Sequence, residues 1–578
     1  VVIDQKESTT ASAEMPVRPK AVGRPWLARY PENINWHMTF EARPFQSLLD
    51  DAAIHHADRP CIDFLDRQMS YRDVDGMVTK IAKGLQDLGV QKGTKVGLFL
   101  PNCPYSIICF FAILKAGGTV VNYNPLYVTR EIEQQVDDSE TEIMITLDLQ
   151  QLLPKLEPLL GKSRLKAIVV ARLADCLPFP KNLLYSVFKR GDIAKIPNEP
   201  AVVPFDQLLA NDGDIRLVPV DPENDIALIQ YTGGTTGVPK GAAHTHASLV
   251  INADQIAAWA SDFEPGNECI FGVLPLFHVF AVSTVLSYGI RIGAKLVLLP
   301  RFDLDQVLKT IAKKHPTVLP GVPTMYNAIS SHKEIDRYDL TSIKLCLSGG
   351  APLPIEVKQK FENKSGCTIL EGFGLTEAPV THCNPVGGHL KEGSFGVPLP
   401  GTSVEILSLE DRETPVPPGE RGEICVSGPQ VMQGYWKHSE ETDNAIRNGR
   451  LHTGDVGYLD EDGYGFIVDR LKELIICSGF NVYPRVVEEA LYEHPDIQEA
   501  AVCGVPDDYR GETVKAYVVL KEVADLDEAK LLAFLKDRVS PIEMPKIVDF
   551  RDALPKSAVG KILKKELLRE DRERAEQT

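Results

Sequence analysis

The sequence is poor in the features that would tie it to a membrane, an oxidising compartment or a nucleic acid. None of its eleven cysteines belongs to a CxxC pair and their number is odd, which gives no sign of a disulfide framework and fits a reducing, cytoplasmic location. Long hydrophobic runs are missing: the most apolar stretch, SIICFFAIL at 106–114, stops at Lys115 and is far too short to cross a bilayer. The first twenty residues are polar, lack the apolar segment of a secretory signal, and read as a mobile tail. Positive charge is in deficit, 62 Lys and Arg against 80 Asp and Glu for a net charge of -18. That balance argues against nucleic acid as a main partner, and anionic ligands would need local basic pockets. Two nucleotide signatures are absent as well. No GxGxxG follows a strand with an acidic partner downstream, and no GxxxxGK[ST] occurs, so neither dinucleotide binding nor a Walker loop is indicated.

What remains is a chain of 578 residues, too long for one hydrophobic core. From Lys95 onward, short apolar runs (KVGLFL, TVVNY, EIMITL, LKAIVVA) alternate with amphipathic ones (PYSIICFFAILKAGG, REIEQQVDDSE), as in a parallel sheet covered by helices. DIALIQY, KLVLLP, TVLP and IKLCLS, separated by LDQVLKTIAKKH and PIEVKQKFENKS, predict a second sheet of the same kind. Between about 400 and 470 the pattern changes to short alternating strands with Gly and Pro turns, followed by a charged link and a mixed α/β tail. The expected architecture is therefore α/β: a body at 21–470 of two doubly wound sheets plus a β-rich subdomain at about 400–470. A small mobile domain at 471–578 would follow it.

One stretch carries an evident chemistry. YTGGTTGVPKG at 231–241 combines glycines, threonine hydroxyls and one lysine at the end of an apolar strand, which suits an oligophosphate. Pro239 before Lys240 and Gly241 after it set the loop apart from a strand-to-helix P-loop.

Six further motifs follow in order: PLFHVFA at 275–281, LSGGAPL at 347–353, EGFGLTE at 371–377, LHTGDVGYLDEDGY at 451–464, DRLKELIICSGFNVYP at 469–484 and PKSAVGKILKKEL at 555–567. Together with the loop they resemble the superfamily of acyl-adenylate-forming enzymes over nearly the whole chain, and within it bacterial long-chain fatty-acid:CoA ligases. The resemblance implies two half-reactions: a carboxylate attacks the α-phosphate of ATP to give acyl-AMP and pyrophosphate, and the thiol of CoA then displaces AMP. It also implies a Mg²⁺ ion.

Residue roles follow from the same resemblance. Tyr231, Thr232, Gly233, Gly234, Thr235, Thr236, Gly237 and Lys240 would hold the phosphates, with Thr232 and His278 counted among the catalytic residues. Gly350, Ala351, Gly372, Phe373, Gly374 and Thr376 would line the nucleotide, Phe373 stacking on adenine where relatives often carry Tyr. Glu377 would be the Mg²⁺ ligand, a hard oxygen for a hard ion. Asp455 would accept from the ribose hydroxyls with Arg470 nearby. Lys561, rather than Lys564 or Lys565, would place its cation between carboxylate and α-phosphate. Lys472 would be the hinge, and Ser478, Gly479 and Phe480 would border a CoA tunnel once the small domain rotates.

Val279, Phe280, Val322, Met325, Gly349 and Gly374 would form the acyl pocket, Gly374 standing where acetate-activating relatives carry a walling Trp. Read from the residues alone, each of these aliphatic positions suits ordinary core packing equally well, and LPFPKNLLYSVFKR at 177–190 suits a lid or a dimer contact as well as an anionic membrane face. The expected partners are a long-chain fatty acid, ATP and CoA, with peripheral contact on the cytoplasmic face of the membrane. Oligomeric state is left open, a homodimer among the arrangements. Alternatives are a medium-chain or arylalkanoate CoA ligase, an acyl-AMP ligase serving a carrier protein, and a non-enzymatic lipid-binding scaffold. A peptide-synthetase module is disfavoured because no carrier segment with its serine is evident.

Overall fold

A computed structural model of the chain describes residues 23–232, 239–478, 480–507, 509–522, 524–558 and 560–576. Among these residues the polypeptide forms four sheets. The first half builds an eight-stranded sheet around the parallel strands Lys95–Leu98, Thr119–Asn122, Thr141–Leu147, Ala167–Ala171, Val202–Pro204 and Ile226–Tyr231. A nine-stranded sheet follows, with Cys269–Gly272, Lys295–Leu298, Val318–Gly321, Leu345–Ser348 and Ile369–Gly374 running parallel, and the early strand Pro60–Phe64 joining beside Lys295–Leu298. These are the strands that the apolar runs predict, and their near-continuous Val, Ile and Leu content reflects burial on both faces.

The most apolar run is the helix Pro104–Lys115, in which every residue from Pro104 to Leu114 is buried. It is hydrophobic all round because it lies inside the core, with Phe110 and Phe111 both against Phe45. Among the described residues no helix is long and apolar enough to cross a membrane.

After the phosphate-loop segment the chain returns as the strand Gly241–Thr245, antiparallel to Ile226–Tyr231 with Tyr231 opposite Gly241. The motif is thus a hairpin connection, which accounts physically for its departure from the strand-to-helix loop. The β-rich region pairs Ser403–Leu407, Gly422–Ser427, Arg450–Leu459 and Gly465–Arg470. Beyond the turn Leu471–Glu473 lies a last sheet, in which the long strands Ile497–Asp507 and Gly511–Leu520 carry the hairpin Ile475–Cys477 and Phe480–Val482 and the parallel strand Ile547–Arg551. Its own apolar core, around Val487, Leu491, Val502, Val518 and Leu531, is separate from that of the large sheets.

Candidate active site

The site forms where carboxyl ends of parallel strands from both large sheets meet the β-rich region, the usual place for ligands in open α/β sheets. Thr232 and Lys240 close the neck of the phosphate loop: the Thr232 amide donates to the Lys240 carbonyl at 2.9 Å, and the Lys240 amide to Thr232 Oγ1 at 3.4 Å. Gly233, Gly234, Thr235, Thr236 and Gly237 lie outside the described residues. The ring of Tyr231 is buried and its hydroxyl donates to Asp138, whose other oxygen sits 3.2 Å from His438 Nε2. Tyr231 therefore anchors the strand end.

The ammonium of Lys240 lies 3.6 Å from Glu441 and 5.3 Å from the centre of the Tyr435 ring. The Tyr435 hydroxyl donates to Glu377 Oε1 at 2.6 Å. The backbone of the same turn is tied down at two points, His244 Nε2 donating to the Thr376 carbonyl at 2.7 Å and the Met432 amide to the Glu377 carbonyl at 2.7 Å. Tyr435 and His244 escaped the motif reading. A lone Tyr in QGYW and a His inside a strand carry no local signal of what they touch across the fold.

Two expectations about the EGFGLTE turn change. Phe373 is only 7% exposed, packed against Phe395 at 4.9 Å and His382 at 5.8 Å between ring centres, so little of its face is left for a base. At Gly374 an added Cβ would sit 2.2 Å from the Pro379 carbonyl oxygen. The missing side chain there is demanded by the neighbouring backbone, which is a different reason from an opened acyl pocket. Gly372 is also tight, 3.2 Å from the His382 carbonyl.

Asp455 and Arg470 face each other on adjacent strands, with Arg470 Nε 2.9 Å from Asp455 Oδ1. Burial pushes the Asp455 carboxyl up, while Arg470 and Lys561 pull it down. Lys561 reaches this pair from the last unit of the chain. Its loop is closed by Ser557, whose amide donates to the Lys561 carbonyl at 2.8 Å, and it docks where Thr324 Oγ1 donates to the Gly560 carbonyl at 3.3 Å. Other ties across the units are the exposed pair of Lys333 and Glu522 at 2.9 Å and the Arg485 amide, which donates to Asp469 at 2.9 Å. Burial, reinforced by the charge of Arg470, brings Lys561 down to about 8. His278 lies within the field of Lys561 and is pushed down to about 4, mainly by burial, so its imidazole is neutral. Lys564 is placed differently, 2.8 Å from Glu488 and 3.2 Å from Glu473, and Lys565 is exposed.

The apolar candidates also converge. Val279, Val322 and Met325 are buried; a Cβ on Gly349 would meet the Phe280 ring at 3.0 Å, and one on Gly350 the Val322 side chain at 3.6 Å. Ala351 follows in the same turn. Behind them a narrow cavity is lined by Val318, Pro320, Leu345, Leu347, Thr284 and Trp259, among others. Val318 and Pro320 share a strand face with Val322, and Leu345 and Leu347 with Gly349. Thr284, in a π-helical turn at Val282–Ser287, donates to the Phe280 carbonyl at 2.7 Å. Lys472, Ser478 and Phe480 are exposed, and no hydrogen bond, ion pair or ring contact joins them to the Asp455 and Lys561 cluster among the described residues. Gly479 lies outside those residues.

Residues 49–436 match the model of the AMP-binding enzyme family, and 486–561 that of the AMP-binding enzyme C-terminal domain. The chain is 46% identical to a long-chain-fatty-acid–CoA ligase of Bacillus subtilis, covering 95% of this chain and 98% of the relative. It is 38% identical to one of Escherichia coli O6:H1 over the same shares. Among solved structures, an anthranilate CoA ligase in complex with anthranoyl-AMP matches with a TM-score of 0.83 at 26% identity, over 94% of this chain and all of that one. The chain belongs to the AMP-binding enzyme family.

Proposed function

We propose that the protein is an AMP-forming ligase that joins a long-chain fatty acid to CoA. The observation that carries this reading is the delivery of Lys561, from the last unit, to the Asp455–Arg470 pair next to an apolar wall of small residues. A fatty carboxylate lying along Phe280 and Gly349 would present an oxygen to the α-phosphorus of ATP. The new O–P bond forms as the bond to pyrophosphate breaks, and Lys561 neutralises the charge gathered there. Asp455 would accept from the ribose, and Thr232 and Lys240 with the loop between them would hold the departing phosphates. His278, being neutral, would orient rather than carry charge. In the second step the CoA thiol adds to the acyl carbon, loses its proton, and expels AMP.

Glu377 fits a divalent cation: it is a partly exposed carboxylate with one oxygen held by Tyr435, close enough to Asp455 and Arg470 for its charge to act on both. Mg²⁺ bound there would screen the triphosphate. The division into a body at 21–470 and a mobile unit from 471 is supported by the separate apolar core of the last sheet. An apolar substrate suits the lining of the cavity of about 40 Å³ behind the pocket, and the long-chain reading rests on the relatives of that name.

The test is CoA-thioester yield with ATP and Mg²⁺ across saturated acids from acetate to stearate, with coumarate as an aryl control. A maximum at sixteen or eighteen carbons is expected. A maximum at six to ten carbons or on coumarate would overturn the substrate, and AMP release without thioester would point to a carrier protein.

A pH profile tests the lysine. Lys561 is cationic below about pH 8 and neutral above it, and the cation is the useful form. The kcat/KM for acyl-AMP formation should therefore fall as pH rises through about 8. In Lys561→Arg the guanidinium stays charged, and that alkaline limb should disappear even if the rate is lower. An identical limb in the variant would assign the titration elsewhere.

The same reading includes contact with an anionic bilayer through the helix Lys181–Phe188, none of whose residues is buried. Phe179 and Phe188 are each 78% exposed and Val187 69%, with Lys189 and Arg190 beside them, a pairing of apolar and basic groups that complements acidic headgroups. Co-sedimentation with phosphatidylglycerol vesicles should exceed that with phosphatidylcholine, and Phe179→Ser with Phe188→Ser should lower it several-fold. Equal sedimentation of the double variant would remove this surface from consideration.

A further inference from the structure

The carboxylate of Asp455 reaches the site because the strand carrying it bulges. Cys425 pairs with His452 and Glu423 with Val456, so Thr453, Gly454 and Asp455 stand opposite the single residue Ile424. Such a bulge re-aims a side chain and must be held by something other than ladder bonds. Here Glu423, wholly buried, fills that place. Its Oε1 accepts from Arg412 Nη2 at 2.6 Å and from the Gly454 amide at 3.1 Å, and its Oε2 from Arg412 Nε at 2.7 Å and His452 Nδ1 at 2.8 Å. Thr453 completes the clamp, its hydroxyl donating to the Ile424 carbonyl at 2.7 Å and accepting from the Asp455 amide at 3.0 Å.

We infer that Glu423 is a positioning residue for the nucleotide: it locks the bulge at Gly454 and so fixes the place from which Asp455 meets the ribose. The inference rests on the reading of Asp455 as the ribose contact. A metal centre is the competing use of this cluster, since Glu423, Cys425 and His452 bring ligand atoms within 4.8 Å of one another. Both carboxylate oxygens are already engaged by two donors each, one of them a guanidinium, and a metal cation would have to displace that charge. The arrangement is a clamp.

Discrimination between ATP and 2′,3′-dideoxy-ATP in palmitate-dependent pyrophosphate release separates positioning from mere stability. Wild-type enzyme should prefer ATP, and Glu423→Gln should reduce that preference roughly tenfold, the worth of a hydrogen bond to a charged group. The ratio of palmitate to octanoate turnover should stay at its wild-type value, because the acyl wall is not touched. Gly454→Ala supplies an independent route: nothing lies within 4 Å of the added Cβ, so only the backbone at φ +71° is strained, and the same loss is expected. It also decides the matter if Glu423→Gln does not fold. Wild-type indifference to the missing hydroxyls would overturn the ribose reading of Asp455, and this inference with it. A discriminating wild type with both variants at the same ratio would overturn the assignment of Glu423 alone.

Discussion

Replacing Lys561 by alanine is expected to slow acyl-AMP formation by about 10² to 10³-fold, while thioester formation from supplied palmitoyl-AMP and CoA stays within about threefold of wild type. The size follows from removing one preorganised charge at a centre where a carboxylate and a triphosphate converge, typically ~3 to 4 kcal/mol. The two lysines that follow it in the same segment cannot substitute. Lys564 is committed to Glu473 and Glu488, and Lys565 is exposed. In the proposed mechanism the thiol needs access to the region that the lysine fills, so the two half-reactions should respond separately. Pyrophosphate release with ATP and palmitate measures the first step, and thiol consumption with synthetic palmitoyl-AMP the second. Equal loss of both would mean that Lys561 holds the fold or a shared conformation, and the assignment of its charge to the first step would fall.

The second large effect concerns chain length. Thr284, four residues past Phe280, lines the apolar cavity. Thr284→Leu adds bulk to the cavity wall and removes only the hydroxyl's bond to the Phe280 carbonyl. If three methylenes of palmitate lose their burial at ~0.8 kcal/mol each, the preference for palmitate over octanoate drops by about 2.4 kcal/mol, roughly fiftyfold in kcat/KM. Octanoate itself should be nearly unaffected. An unchanged ratio would show that the chain takes another path, whereas equal losses on both acids would point to a repacked turn.

Much of this site was legible in the sequence because its chemistry sits in short contiguous motifs at strand ends. EGFGLTE, HTGDVG and the segment around Lys561 each announce a residue type that the reaction needs. Legibility failed where the reason for a residue lies across the fold. From sequence, Gly374 looks like space for an acyl chain; the Pro379 carbonyl that forbids a side chain there is visible only in three dimensions. Phe373 likewise reads as a free ring until Phe395 and His382 are seen against it. Tyr435 and Glu377 are far apart in sequence, and no local pattern predicts their hydrogen bond. The choice of Lys561 over Lys564 came from resemblance, and its physical basis is the pair of carboxylates around Lys564.

Two of the ties between the last unit and the body are modest and polar, the 3.3 Å bond from Thr324 to the Gly560 carbonyl and the pair of Lys333 with Glu522, whose side chains are 83% and 80% exposed. At the start of the unit, by contrast, Tyr483 is buried with Val456 and Val468 of the body, and Arg485 donates to Asp469 and to the Ile467 carbonyl. A pair as open as Lys333 and Glu522 contributes ~0 to 1 kcal/mol, and a single neutral hydrogen bond about as much. The loop that carries Lys561 is thus held to the body by weak polar ties, while the start of its unit is packed against the body. In the proposed mechanism nucleotide and acyl chain would supply the differential affinity that keeps Lys561 at the site, and turnover to AMP would withdraw part of it. The lysine would then leave the site at little cost while the packed seat around Tyr483 gives the motion a fixed point, which would leave the timing of the two chemical acts to the molecules being processed.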